Sequence, residues 1–505
     1  MPRQMAGFRV AAASGYNMRC ARRACAPAAP KGAEQMTAAR VSRRTFLRSA
    51  ALAAGTVAAA RTSGRAADAP AAPTRPNIVF LLTDDHRWDA LGCMGNPVIR
   101  TPNVDALAAA GVVFSNMFVT TSICCTSRAS IFTGQYARRH GVHGFNTPFT
   151  PEQFADTYHQ VLRRAGYHVG FIGKYGVGDN APPSPEAFDY WKGFPGQGHY
   201  WPKDLGREVH LTDLMAEQAA EFLRAAPAGR PFCLSVSFKA PHCQDGDPRQ
   251  FLYAPKYENL YADVAVPVPP TADPKYFEAL PDYVRESEAR RRWQIRFSSP
   301  DLYQQMVKGY FRLVTGVDDA VATIVAALKE KGAAGSTVII LTGDNGFYLG
   351  EHGLAGKWFM HEESIRVPLV VYDPRLPASL RGRRRREMAL NIDLAPTMLA
   401  LAGAAVPPRT QGCDLGPLLR GQSPAWREDW FYEHLFPNRI IPKSEGVRTR
   451  RWSYWTYLEQ DHQAEWLYDI ENDPRQVRNL AADPASASVL ADLRGRVARC
   501  REELK

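Results

Sequence analysis

Five apolar runs, separated by stretches of helical periodicity, constrain the fold of this chain more than any other feature. The first, Asn77–Thr83, shows no alternation of polar and apolar residues, which is typical of a strand buried on both faces of a parallel sheet. The runs are Asn77–Thr83, Tyr167–Ile172, Phe232–Phe238, Thr337–Leu341 and Val367–Tyr372, and the helical segments are Asn103–Ala110, Glu152–Ala165, Leu211–Ala225, Leu302–Lys331 and Ile392–Leu401. This alternation predicts an α/β sandwich around a central, mostly parallel sheet, with ligands bound at the carboxyl ends of its strands.

Two stretches depart from this rhythm. The first, Gln244–Pro300, is rich in Pro, Tyr and Arg and is predicted to be a structureless functional loop or surface excursion. After Pro408, short aromatic runs and a final helical segment indicate a smaller C-terminal subdomain with an antiparallel sheet. We therefore expect an N-terminal tail at 1–74, a main domain at 75–408 and the subdomain at 409–505.

The positive charge of the chain is concentrated in its N-terminal tail. The net charge is +11, but residues 1–70 hold 12 Lys and Arg against two Asp and Glu, which leaves 50 against 49 for residues 71–505. The near-neutral body excludes nucleic acid as a partner. Within the tail, Ser42–Leu47 (Ser-Arg-Arg-Thr-Phe-Leu) and the Ala-rich stretch Ala50–Ala60 match a twin-arginine signal. The pattern predicts export by the twin-arginine translocon to the periplasm or beyond; the alternative is a basic leader without export function.

The cysteines do not indicate a disulfide scaffold. Their number is nine, and two of them lie in the tail. A bridge between Cys233 and Cys243 stays open at this level. Because the twin-arginine route carries folded proteins, a cysteine of the body can be modified in the cytoplasm before export.

The most specific motif runs from Cys124 to Gly134 (Cys-Cys-Thr-Ser-Arg-Ala-Ser-Ile-Phe-Thr-Gly). A strand-to-helix turn would place Cys124 at a helix N-terminus, where N–H groups and the dipole favour an anionic substrate. The motif resembles the signature of formylglycine-dependent (type I) sulfatases of the alkaline-phosphatase-like superfamily, whose first cysteine a formylglycine-generating enzyme converts to formylglycine. The resemblance implies that Cys124 is converted and that Arg128 contacts the aldehyde hydrate. The alternative is a pair of buried structural cysteines, a description that suits Cys125 better.

Carboxylates follow two of the predicted strands. Asp84 and Asp85 end the first strand, and Asp344 and Asn345 end another about 260 residues later. Oxygen ligands converging at neighbouring strand ends suit Ca²⁺ or Mg²⁺, although one such pair alone is more often a turn or a helix cap. The resemblance implies that these four residues, with residue 124, hold calcium.

Three further residues match substrate-binding positions of the family. The resemblance implies that Lys174 and Lys357 bind the sulfate and that His242 contacts the sulfate and the leaving oxygen. In the implied mechanism a hydroxyl of the hydrated aldehyde attacks sulfur, both lysines and Arg128 offset the charge, and His242 protonates the departing alcohol. Taken singly, each would be a solvated lysine or a core histidine.

The sequence departs from the family pattern at two positions. Thr126 stands where the signature usually has Pro or Ala, which bears on the efficiency of conversion. Gly176 stands where the family commonly has a histidine near the formylglycine hydroxyl. We expect either that His140 or His143 takes over this role or that the mechanism does without it.

The expected substrate is a sulfated carbohydrate or another sulfate ester. The segment Trp466–Pro474, followed by Asn479-Leu480, resembles the end of glycan-type sulfatases. Two other interpretations stay open: a phosphodiester or phosphonate hydrolase of the same superfamily, and a non-catalytic protein that binds sulfated glycans. Recognition of the substrate's organic part is expected in the loops Pro182–Pro202, Gln244–Pro300 and His434–Arg448, whose aromatics include Trp191, Tyr200, Trp201 and Tyr253.

Overall fold

A computed structural model describes residues 75–203, 205–459 and 464–505. The predicted export signal lies outside these residues. The strands are β1 (Asn77–Asp84), β2 (Val112–Phe118), β3 (His168–Lys174), β4 (Tyr190–Phe194), β5 (Phe232–Pro241), β6 (Thr337–Gly343), β7 (Tyr348–Leu349), β8 (Ala355–Gly356), β9 (Arg366–Tyr372), β10 (Arg383–Arg385), β11 (Ala389–Leu390), β12 (Asp429–His434), β13 (Ser444–Thr449), β14 (Trp452–Tyr457) and β15 (Glu465–Asp469).

Helices of four to 31 residues connect and cover these strands. They are α1 (Pro102–Ala110), α2 (Cys124–Thr133), α3 (Ala137–His140), α4 (Pro151–Ala155), α5 (Tyr158–Arg164), α6 (Leu211–Ala225), α7 (Pro274–Glu278), α8 (Asp282–Arg285), α9 (Glu288–Arg296), α10 (Pro300–Glu330), α11 (Glu362–Ile365), α12 (Leu394–Leu401), α13 (Gly416–Leu419) and α14 (Ala487–Glu503). The longest, α10, begins after Ser299, whose hydroxyl accepts the Leu302 N–H at 3.2 Å, and has Pro300 in its first turn.

The central sheet has nine strands in the order β10-β2-β9-β6-β1-β5-β3-β4, with β11 also pairing with β2. All its pairings are parallel except those of β9, which runs antiparallel to β2 and β6. Successive side chains of β1 alternate between two apolar layers. Val79 and Leu81 pack in the layer with α1, α6 and α10, whereas Ile78 and Phe80 pack in the layer with α2, α5 and α12. The predicted α/β sandwich is therefore confirmed.

A separate four-stranded antiparallel sheet, β12-β13-β14-β15, follows in the C-terminal part. Its apolar face and α14 share a third core cluster with the region around Trp358 and Phe359. The predicted C-terminal antiparallel sheet is thus present. No helix of the described residues is long and apolar enough to cross a membrane.

Two expectations were wrong in detail, and one question left open is answered. Gln244–Pro300 is not structureless, because it contains α7, α8 and α9. Five of the nine residues of α9 are charged, so this helix lacks the apolar stripe that reveals a helix in a sequence. The single helix expected over Glu152–Ala165 is two helices, because α4 ends before Asp156 and α5 starts after Thr157. Cys233 and Cys243 are free thiols, so the bridge left open above does not form.

Candidate active site

The carboxylates of the site come from the ends of two adjacent strands. β1 and β6 pair in parallel with Thr83 opposite Gly343, so the residues that follow emerge side by side at the carboxyl edge of the sheet. The Asp344 N–H donates to Thr83 O (2.9 Å), and the Asp85 N–H donates to Asp344 Oδ1 (3.2 Å). Asp85 has a φ of 61°, a left-handed conformation that costs a non-glycine residue about 1–2 kcal/mol. Such strain is concentrated at functional positions.

Cys124 lies at the centre of these carboxylates. It is the first residue of α2, and the extended residue Ile123 (φ −156°, ψ 138°) precedes it, which gives the strand-to-helix turn expected from the motif. The thiol donates to Asp84 Oδ1 at 3.2 Å, and Lys357 Nζ donates to Sγ at 2.9 Å. Burial and then the charge of Asp84 raise the pKa of the Cys124 thiol well above its ordinary value. The unmodified thiol is therefore neutral, which disfavours thiolate chemistry here.

Arg128 projects into the same cluster. It follows Cys124 by one helical turn, so both side chains lie on one face of α2. Its guanidinium is fully buried; Nε donates to Asp344 Oδ2 at 2.8 Å and Nη1 donates to Lys174 O at 2.7 Å and to Ser237 Oγ. Its Nη2 lies 3.4 Å from an Asp84 oxygen and has no hydrogen-bond partner among the described residues. A donor on Nη2 is thus left for an anion.

Two buried lysines complete the positive side. Lys174 Nζ donates to Asp84 Oδ2 at 2.5 Å and to Gln197 Oε1 at 2.6 Å, and Lys357 Nζ contacts Asp85 Oδ1. Burial alone would lower the pKa of each lysine, but the neighbouring carboxylates raise both above their ordinary value. Both therefore carry full charge at neutral pH, as an anion-binding site requires.

The donor set suits a hard divalent cation. One ligand atom each from Asp84, Asp85, Cys124 and His242 lie within 4.8 Å of one another, and all four residues are buried. Asn345 Nδ2 donates to Asp85 Oδ1 at 2.6 Å, whereas Asn345 Oδ1 is buried and has no hydrogen-bond partner within the described part of the chain. An orphaned amide oxygen beside carboxylates is a typical feature of Ca²⁺ and Mg²⁺ sites.

His242 belongs to the same cluster and directly follows β5. Its Nδ1 is 2.6 Å from Cys243 O, an atom that can only accept, so Nδ1 carries the proton. Nε2 then faces Asp85 Oδ2 at 3.5 Å. Burial lowers the pKa of His242 to about 4, although the negative charges of Asp85 and Asp84 act to raise it. The resting imidazole is neutral, and Nε2 is its proton-exchanging atom.

The position that departs from the family pattern also lies at the site. Gly176 has a φ of 71°, and a Cβ added to it would lie 2.8 Å from Arg128 Cδ and 3.5 Å from Lys174 Cε. Within the described residues, no hydrogen bond connects His140 or His143 with Arg128 or Lys174. Both ring nitrogens of His140 are engaged, with Ser130 Oγ and the Val142 N–H, each at 3.0 Å.

Three side chains of the site escaped the sequence analysis. Ser237 and Gln197 fix Arg128 and Lys174 through the hydrogen bonds given above. Lys239 is 1% exposed, and its ammonium donates to Cys243 O at 3.1 Å, the carbonyl that also accepts from His242. No motif marks Ser237 or Gln197. Lys239 could have been predicted, because it lies in the same Lys-Ala-Pro-His segment as His242.

The fold and the site together are those of a hydrolase of anionic esters, with a cluster of side chains that could hold a metal ion. Comparison with known proteins makes this specific: the profile of the family described as Sulfatase matches residues 76–404, and that of the C-terminal part of N-sulphoglucosamine sulphohydrolase matches residues 350–503. The chain belongs to the sulfatase family and is a sulfuric ester hydrolase.

Relatives of known description agree with this assignment. The chain is 29% identical over 475 residues to an N-acetylglucosamine-6-O-sulfatase of Bacteroides thetaiotaomicron, covering 80% of this chain and 82% of that one. It is 27% identical over 462 residues to human arylsulfatase A, covering 82% and 85%. Among solved structures, one described as a complex with its substrate D-glucosamine-2-N,6-O-disulfate superposes with a TM-score of 0.75 at 26% identity, covering 85% of this chain and 98% of that one.

Proposed function

We propose that this protein releases sulfate from a sulfated carbohydrate, using a formylglycine made from Cys124 and a divalent cation, Ca²⁺ or Mg²⁺. One observation carries the proposal: the Cys124 thiol is the shared contact of Asp84 and Lys357, at the point where the buried carboxylates meet the buried cations. A residue in this position can act on an anion and stay next to a metal.

The modified residue would supply the nucleophile. A hydrated aldehyde at position 124 carries two hydroxyls, one to attack sulfur and one to release sulfate afterwards, and a cysteine has no equivalent. Thr126 lies buried within α2, where its hydroxyl contacts the Cys125 thiol at 3.8 Å.

The charged side chains would bind the sulfuryl group. Asp84, Asp85, Asp344 and Asn345 are the proposed metal ligands, and the metal would supply Lewis acidity and charge stabilisation at the nucleophile. Lys174, Lys357 and the unpaired Nη2 of Arg128 would contact the sulfuryl oxygens. These donors are already held in place by buried partners, so little reorganisation accompanies the reaction.

His242 is proposed to serve the leaving group. The bond from Nδ1 to Cys243 O fixes the ring and leaves Nε2 as the atom that exchanges a proton. Because the resting imidazole is neutral, Nε2 would first take up the proton of the attacking hydroxyl of residue 124 and then deliver it to the bridging oxygen of the leaving alcohol. Lys239 donates to the same carbonyl and so supports this orientation.

The organic part of the substrate is proposed from the relatives. The N-acetylglucosamine-6-O-sulfatase and the glucosamine disulfate complex favour a sulfated amino sugar. The twin-arginine pattern at Ser42–Leu47 supports export to the periplasm or beyond, where sulfated polysaccharides are met. We further propose that residues 75–408 form the catalytic domain and residues 409–505 the C-terminal subdomain.

The proposal is tested by mass spectrometry of the peptide containing residue 124, on protein produced with a formylglycine-generating enzyme. The expected result is conversion of the thiol to the aldehyde, together with sulfate release from N-acetylglucosamine 6-sulfate that is absent in Cys124→Ala. An unconverted thiol, under conditions that convert a known sulfatase, would contradict the formylglycine mechanism. Parallel assays with bis(4-nitrophenyl) phosphate separate a sulfatase from a phosphodiesterase.

A further inference from the structure

The loop after β5 connects the reacting centre to the protein surface. His242 belongs to two groups of side chains: one with Asp84, Asp85 and Cys124, and one with Cys243 and Asp245, in each of which the ligand atoms lie within 4.8 Å of one another. The first group is wholly buried, whereas the side chain of Asp245 is 47% exposed. Asp245 is therefore a neighbour of His242 on the solvent side of the site.

The carboxylate of Asp245 is held by only one of its oxygens. Oδ1 accepts from the Cys243 thiol at 3.2 Å, from Arg292 Nη1 at 3.2 Å and from Arg296 Nη2 at 3.4 Å. No donor contacts Oδ2 in any part of the chain that the structure describes. The two arginines and His242 outweigh burial and lower the pKa of Asp245 to about 2. The result is an oriented, ionised carboxylate with one open oxygen.

Arg292 is the charged partner of Asp245 on this solvent side of the site. It comes from α9, where its Nε donates to Glu288 Oε1 at 2.8 Å, and its guanidinium lies over the Trp358 ring at 5.3 Å. Trp358 directly follows Lys357, whose ammonium contacts the Cys124 sulfur. Within the described residues, Nη2 of Arg292 has no acceptor, and the side chain is 20% exposed. Within the described residues, the Asp245–Arg292 pair thus offers one free acceptor, Asp245 Oδ2, and one free donor, Arg292 Nη2.

We propose that Asp245 and Arg292 form a binding subsite for the leaving group, in which Asp245 Oδ2 accepts a hydrogen bond from a hydroxyl or N–H group of the sugar. The subsite lies beside His242, which the proposed function assigns to the leaving oxygen. The inference that the leaving group occupies this subsite therefore rests on the proposed function. An acceptor of negative charge selects neutral donors and repels a second sulfate or a carboxylate at this point. Arg292 Nη2 supplies the complementary donor to a sugar oxygen.

The test compares two substrates in the Asp245→Asn variant. N-acetylglucosamine 6-sulfate carries hydroxyl and N–H donors on its leaving group, and 4-nitrophenyl sulfate carries none. A charge-assisted hydrogen bond to the sugar is worth a factor of about 10 to 100. We expect kcat/KM to fall by that factor for the sugar, mainly through KM, and to change less than about twofold for the aryl sulfate.

The matched control is Asp247→Asn. Asp247 lies on the same loop and pairs with Arg249, and its loss should leave both substrates unaffected. An equal fall on both substrates in Asp245→Asn would show that Asp245 only supports His242 through the arginine network, and no fall on either would show that it binds nothing. Either result overturns the subsite.

A binding measurement separates this inference from the proposed hydrolysis. N-acetylglucosamine 6-sulfate is titrated into Cys124→Ala protein and into the double variant that adds Asp245→Asn. Weaker binding in the double variant supports the subsite even if the wild-type protein releases no sulfate, in which case only the hydrolytic function fails. Equal binding in both proteins overturns the subsite whether or not sulfate is released.

Discussion

Adding a single methyl group at Gly176 should lower both the catalytic efficiency and the stability of the enzyme. In Gly176→Ala the new Cβ would lie 2.8 Å from Arg128 Cδ, closer than a carbon–carbon contact permits, at a backbone φ of 71°. The left-handed conformation costs alanine about 1–2 kcal/mol, and overpacking a buried site adds about 1–3 kcal/mol. To relieve the contact, the guanidinium must move away from Asp344 and Lys174. A shift of this kind costs about tenfold or more in kcat/KM, because misplacement by 1 Å can cost about 100-fold.

Gly178→Ala is the matched control. Gly178 has a φ of 67°, and its added Cβ would lie 2.8 Å from Pro148 Cα, so the strain and the crowding are similar but no active-site residue is involved. Both variants should melt at lower temperature than the wild type. Only Gly176→Ala should lose activity towards 4-nitrophenyl sulfate. Equal specific activities in the two variants would refute the argument that Gly176 leaves room for Arg128.

Three further changes have expected outcomes. Arg128→Lys cannot reproduce the contacts of the guanidinium and should lower kcat/KM about 100- to 1,000-fold, while melting curves report whether the fold survives. Asn345→Ala should reduce the rise in melting temperature that Ca²⁺ produces in the wild type; an unchanged rise would exclude Asn345 as a ligand. Burial and Glu351 raise the pKa of Glu363 to about 8, so stability is lost as pH rises from about 4.5 towards 8, by about 3 kcal/mol at pH 7. Glu363→Gln should therefore melt higher than the wild type at pH 7.5 but not at pH 5.

The sequence predicts those parts of the molecule whose chemistry is local. The interior strands β1 and β6 are largely continuous apolar runs, and the carboxylates at their ends can be placed without knowing the rest of the fold. The edge strands β10 and β11 have only three and two residues, too few for a pattern. The meeting of Arg292 with Asp245 joins a charged helix to a loop 47 residues earlier, and only tertiary packing determines it. Likewise, the sequence shows only that a glycine replaces the family's histidine at position 176. The left-handed backbone conformation at this glycine is seen only in the structure.

The charges around Cys124 explain why a metal and a sulfate belong together in this site. Three carboxylates, of Asp84, Asp85 and Asp344, face three cations, of Arg128, Lys174 and Lys357, so these six side chains alone are close to neutral. Burial and Asp84 raise the pKa of Asp344 to about 6, which marks how little further negative charge the cluster tolerates. A divalent cation would shift the balance to about +2 and create the attraction for a sulfate ester.

Anion affinity should therefore depend on the metal. Inorganic sulfate titrated into Cys124→Ala protein should bind at least about tenfold more tightly with saturating Ca²⁺ than after chelation, since even at an effective dielectric of 20 a unit charge 4 Å away contributes about 4 kcal/mol. A melting curve of the chelated protein serves as the control, because it must show that the protein is still folded at the temperature of the titration. Equal sulfate affinity with and without the metal would mean that the lysines and Arg128 bind the anion unaided, and that the carboxylates serve only to position those cations.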